Sequence, residues 1–163
     1  MDRMRALPKW LMTVFVAAVS IASGAEPTRF SSVTEMFNLS RDYSEKAESF
    51  KVVSSEPLHI HLSPIVIEND VEKVQLQAVR SALVYGIMRP FIHTDVNQVA
   101  VTVVPRILGK TRRYVGTLDE KKSTLRVTRE KALETLRSFF PGKSFADLVS
   151  TQELPDMPTD LFN

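Results

Sequence analysis

Between Asn69-Asp70 and Pro90 the chain carries its longest run of helical periodicity, and this segment dictates what the rest must do. Val74, Ala78, Ala82 and Tyr85 fall on one stripe of a helix spanning about Val71 to Met88. Leu76, Val79, Leu83 and Ile87 lie beside that stripe. An apolar face this wide has to be covered on more than one side, which places the helix at the centre of the core. Asp70 and Glu72 at its start and Arg89 at its end suit the helix dipole, and Pro90 is expected to stop it. Gly86 costs about 1 kcal/mol relative to Ala inside a helix. Its simplest use is to admit a neighbouring strand or helix at close range.

The segments on either side supply strands. Pro57 and Pro64 bracket Leu58, Ile60 and Leu62, which alternate with His59, His61 and Ser63, the pattern of a strand with one buried face. Ile65-Val66-Ile67 extends it after the break. Gln98 to Val104, rich in Val and Thr and closed by Pro105, reads as a buried strand. Ile107 to Val115 reads as a polar hairpin continuing that pairing, and Ser123 to Val127 as a further strand. Helices are expected from Phe30 towards Phe50, opened by a Ser32-Val33-Thr34-Glu35 capping box, and from Arg129 to Phe140, capped by Thr128 and ended by Pro141-Gly142. A second capping signature at Ser144–Asp147 opens one more helical turn. These elements predict an α+β fold: a small antiparallel sheet of three to four strands covered on one face by helices, a two-layer sandwich.

Residues 1–25 read as an address. Arg3, Arg5 and Lys9 precede an uncharged stretch from Trp10 that ends in Ser23-Gly24-Ala25, the order of a secretory signal peptide cut after Ala25. No Arg-Arg pair accompanies it, which favours export unfolded and without a cofactor loaded beforehand. The domain organisation expected is a signal peptide at 1–25, one α+β domain at 26–149 and a disordered acidic tail at 150–163. The protein is then exported, periplasmic or secreted, with no stable membrane span once the signal is removed.

Charge follows the same division. The whole chain of 163 residues has 21 Lys+Arg, 19 Asp+Glu and a net charge of +2. Residues 26–72 hold four basic and nine acidic side chains, residues 73–143 fourteen and five, and residues 144–163 none and four. The excess of positive charge outside the signal therefore sits in the middle. Its densest part is Arg106, Lys110, Arg112, Arg113, Lys121, Lys122, Arg126 and Arg129, with Tyr114 interleaved. On a hairpin and its neighbouring strand these residues would form a basic patch for a protein partner in the envelope or another anionic ligand.

Chemistry-bearing motifs are sparse. The chain has no Cys, which removes disulfides, thiolate metal sites and a thiol nucleophile. Five Gly leave no phosphate-binding loop or dinucleotide fingerprint, so no nucleotide cofactor is expected. His59 and His61 share one side of a strand and could take one metal ion, with His93, Asp95 or Glu68 as a third ligand. That arrangement describes a metal-dependent hydrolase, in which the metal would lower the pKa of a bound water. His93 and Asp95 could also form an orienting pair. The primary expectation is a non-catalytic binding or adaptor protein of an envelope assembly. The alternatives are the metal-dependent hydrolase and a binder of nucleic acid or anionic lipid through residues 106–129.

Overall fold

The computed structural model describes residues 27–40, 42–148 and 157–162. The signal segment expected at 1–25 lies outside the described residues. In chain order the elements are α1 (Val33–Ser40), β1 (Phe50–Ser55), β2 (Leu58–Leu62), β3 (Ile65–Ile67), α2 (Glu72–His93), β4 (Gln98–Val103), β5 (Arg106–Leu108), β6 (Tyr114–Thr117), β7 (Ser123–Thr128) and α3 (Arg129–Phe139). Short 3-10 turns occupy Asp119–Lys121, Phe145–Asp147 and Thr159–Phe162. Among the described residues no helix is long and apolar enough to cross a membrane.

The α+β class expected from the sequence is the class observed. Four strands form the main sheet in the order β1-β2-β4-β7, and three form a second sheet in the order β3-β5-β6. The main sheet is not wholly antiparallel, however: its central pair, β2 and β4, is parallel. The reason is α2, which leaves the end of the β2–β3 segment and returns the chain to the starting edge of β4, as a parallel connection requires. β1–β2 and β4–β7 are antiparallel.

The two sheets are one ladder interrupted by two prolines. Leu62 pairs with Val103 and Ile65 with Arg106, so Pro64 and Pro105 stand opposite each other on adjacent strands. Neither can donate a ladder hydrogen bond. Val104 N donates to the Leu62 carbonyl at 3.1 Å and Arg106 N to the Pro64 carbonyl at 2.8 Å, which carries the pairing across the break.

Helices cover one face of the main sheet. Leu58, Ile60 and Leu62 of β2 and Val99, Val101 and Val103 of β4 are buried against Ala82, Leu83, Ile87 and Phe91 of α2. Gly86 serves the close approach its position suggested. A Cβ there would sit 2.8 Å from both Leu62 Cδ1 and Val101 Cγ1. Contrary to expectation, Pro90 lies inside α2, which continues to His93. The helix end itself is held by side-chain and backbone bonds: Thr94 N and Oγ1 donate to the Pro90 carbonyl at 2.9 and 2.7 Å. Arg129 Nη1 and Nη2 then donate to the Phe91 and Thr94 carbonyls at 2.9 and 2.6 Å.

Two further segments differ from what their local sequence suggests. The stretch from Phe30 to Phe50 is not one helix; α1 ends at Ser40 and Phe50 opens β1. One half of its capping box forms, with Glu35 N donating to Ser32 Oγ at 3.1 Å, while the Glu35 carboxylate accepts from Ser31 N and Oγ at 3.3 and 2.7 Å. Phe50 is tied to α1 through packing instead, its ring stacking on Phe37 with centroids 4.3 Å apart. At the other end, part of the tail expected to be disordered is built into the core. Met157 and Phe162 are 5% and 3% exposed, and the Thr159–Phe162 turn packs on α2 and α3.

Candidate functional site

The basic cluster of the sequence does not form one patch; the fold divides it over several surroundings. Arg129 is structural. Besides its two bonds to the end of α2, its Nε donates to the Val96 carbonyl at 2.9 Å, and the guanidinium lies 5.3 Å from the Phe91 and Phe145 ring centroids. Lys121 is bound to Glu72 at the start of α2, and the Glu72 carboxyl is held below its usual range by that hydrogen bond.

Lys122 and Arg126 lie with the solvent-facing side of the main sheet. That side presents Lys51 from β1, His59 and His61 from β2, Thr102 from β4 and Thr124 from β7, in neighbouring register positions. His59 Nε2 meets Thr102 Oγ1 at 2.9 Å, and Thr102 Oγ1 meets Thr124 Oγ1 at 2.9 Å. Burial holds the His61 imidazole below its ordinary pKa, with Lys122, His59 and Lys51 adding repulsion.

The two histidines thus share a face, as their spacing predicts, but His93 does not join them. It lies buried at the end of α2, its Nδ1 2.8 Å from the Thr28 carbonyl. Asp95 instead pairs with Arg29, so no His93–Asp95 dyad forms. Glu68 sits beside Gly109 at the second sheet. Among the described residues no group of three or more His, Cys, Asp or Glu side chains is placed to hold a metal ion.

Lys110, Arg112 and Arg113 occupy the tip of the β5–β6 hairpin. Gly109 N donates to the Arg113 carbonyl and Arg112 N to the Gly109 carbonyl, each at 2.9 Å. This closes a tight three-residue loop of the kind whose last position favours Gly. Here that position is Arg112, in the left-handed region at φ 58°. The three cations make no ion pair among the described residues. All four residues of β6 are exposed, Tyr114 and Val115 included, and β6 is an edge strand.

Arg106 stands apart from its neighbours on the hairpin. It is only 9% exposed, and Tyr114, itself 49% exposed, lies over its guanidinium with the ring centroid 4.1 Å from Cζ. Nη2 donates to the Ala47 carbonyl at 2.9 Å, the one hydrogen bond of the guanidinium to a described residue, and Nε is buried without a partner among the described residues. Leaving a buried donor unsatisfied costs about 1–3 kcal/mol. Arg106 borders a groove of about 480 Å³ between α2, the 42–49 loop and the second sheet, with Asp42, Tyr43, Ser63, Ile65 and Ala78 also lining it.

Sequence reading named Arg106 and Tyr114 but not the rest of this groove. Asp42 accepts from Tyr85 Oη at 3.0 Å, and Tyr43 packs on Tyr85 with centroids 5.3 Å apart. Burial pushes the Tyr85 phenol up to about 12 and Tyr43 further still, so both remain donors at neutral pH. No local motif links residues 42–49 to Arg106; the association is purely tertiary. No family model, curated protein or solved structure matches the chain.

Proposed function

We propose that the protein is an exported, non-catalytic adaptor that captures an acidic surface of a protein partner in the envelope, with the β5–β6 hairpin as its contact. The observation that carries this reading is the hairpin tip: three cations without ion-pair partners among the described residues, beside exposed Tyr114 and Val115. One of them, Arg112, is held in a backbone conformation that an arginine adopts at a cost. Strain of this kind persists where a side chain is needed at that place. An edge strand with exposed Tyr and Val side chains, entered from a cationic loop, offers a partner both backbone pairing and charge complementarity. The export assignment rests on the order of charges and apolar residues in 1–25.

The division of the basic cluster favours a compact protein surface over a long polyanion. Nucleic acid or a lipid surface draws on cations aligned along one face, whereas Arg106 and Arg129 are engaged inside the fold and Lys121 is paired. The hydrolase reading has only His59 and His61 on a common face.

Site-specific photo-crosslinking in the native envelope tests the proposal. A photoreactive residue at Val115 should give a discrete adduct, absent when the same group replaces exposed Phe139 on α3. Arg112→Glu combined with Arg113→Glu should remove the adduct while the melting temperature stays within about 2 °C. An adduct that survives the double substitution, or appears equally from position 139, would overturn the hairpin assignment.

A further inference from the structure

We infer that the groove bordered by Arg106 is a binding site for a monocarboxylate whose apolar body lies along Ile65 and the Tyr114 ring. This site shares Tyr114 with the β5–β6 hairpin but does not depend on which partner meets the cationic tip. A guanidinium this deeply buried ordinarily has a carboxylate or several carbonyls around it. Arg129 shows the second solution in this same fold, with all three of its nitrogens bonded to carbonyls. Arg106 has one such bond, a buried Nε without a partner, and no ion pair among the described residues. It has not been left there as filler for a core, because it opens on a groove of about 480 Å³ that could take a small ligand.

The lining sets the class of ligand. A guanidinium matches a carboxylate in planarity and hydrogen-bond spacing. Among the described residues of that lining Arg106 is the one basic side chain, and Asp42 is on it too. One positive charge opposed by one carboxylate disfavours phosphate and other multiply charged anions, and leaves room for a single negative charge. Ile65, half exposed, and the Tyr114 ring give an apolar body something to lie against. Tyr114 already stacks on the guanidinium, which holds the plane of Arg106 fixed before a ligand arrives.

The test is titration of the purified protein followed by amide and arginine Nε–H NMR. The probes are 3-phenylpropanoate, N-acetyl-Ala-Phe with a free C-terminus, the same dipeptide as its amide, and inorganic phosphate. At least one of the two carboxylates should shift the Ser63, Ile65 and Arg106 resonances together, while the amide and phosphate leave them in place. Binding of phenylpropanoate alone identifies a free small acid as the ligand, and binding of the dipeptide identifies a peptide C-terminus. Arg106→Gln should weaken binding about tenfold or more. Because Arg106 also holds the 42–49 loop through Ala47, Ala78→Leu supplies a second arm. It narrows the groove with the arginine intact and should weaken binding similarly. Failure of both carboxylates to move the groove resonances, equal affinity for the amide, tighter binding of phosphate, or full affinity in Ala78→Leu would each overturn the inference.

Discussion

Arg129 donates from Nη1 to the Phe91 carbonyl at 2.9 Å while its guanidinium lies 5.3 Å from the Phe91 ring centroid. One residue of α3 therefore terminates α2 and covers its final turn. With its bonds to the Thr94 and Val96 carbonyls, this side chain takes up carbonyls at and just beyond the end of a helix that runs through Pro90. Arg129→Ala should lower the unfolding free energy by about 3 kcal/mol, since three charge-assisted hydrogen bonds are lost. Urea denaturation measures it. A loss below about 0.5 kcal/mol would mean that α2 is terminated by other contacts.

Gly86→Ala sets helix propensity against packing. Alanine is favoured by about 1 kcal/mol in a helix interior, but its Cβ would meet Val101, a stiff β-branched side chain on β4, at 2.8 Å. Overpacking costs about 1–3 kcal/mol, so the variant should be less stable than the parent. Adding Val101→Ala should return part of the loss, and the double-mutant cycle should give a coupling of about 1 kcal/mol. Strict additivity would show that the contact is relieved elsewhere.

Acidification should weaken the fold through His93. Burial keeps its pKa below the ordinary value, aided by Arg89 and Arg29 and opposed by the hydrogen bond to the Thr28 carbonyl. The folded state thus binds the proton less readily than the unfolded chain. Its contribution is fully present above the ordinary histidine pKa of about 6.5 and is lost as pH falls through that value towards the folded pKa. His93→Gln should flatten the stability profile below about pH 6.5, read from melting temperature against pH. An unchanged slope would assign the acid sensitivity to other groups, His61 first, whose pKa is also lowered.

Phe162 lies in the core. Phe162→Ala should cost about 3 kcal/mol, in the range for a buried phenylalanine. Loss below about 1 kcal/mol in thermal or urea unfolding would show that this turn rests on the core without supporting it.

Arg112→Gly should separate stability from binding. Glycine suits the left-handed position, so the variant should gain about 1 kcal/mol. With one tip cation gone, crosslinking through Val115 should fall. No gain in stability would show that the turn holds arginine without strain.

The fold was legible where one physical signal acted alone. Alternation placed β2, the Val-rich run placed β4, and the Thr128 cap placed the start of α3, where Thr128 Oγ1 accepts from Lys131 N at 3.2 Å. Misreadings came where tertiary packing overrode a local rule. Pro90 stops an isolated helix, yet here the cap from Arg129 lies far along the chain. Phe50 has helical spacing from Ala47, but its partner is Phe37 across the core. The parallel pairing of β2 and β4 depends on where α2 returns the chain, which periodicity does not encode. Of the candidate site, the residue types were legible and their grouping was not. Arg106 and Arg112 are near neighbours in sequence, and whether a hairpin residue points in or out is set by strand alternation together with the bulge between Ile107 and Leu108.

The facing pair Pro64 and Pro105 makes the outboard sheet a natural cassette. Because the ladder resumes only beyond the two prolines, the β5–β6 hairpin can lengthen, shorten or exchange its tip while the core strands keep their partners. Loop grafting at residues 109–113 should therefore exchange the tip side chains without redesigning the scaffold beneath it.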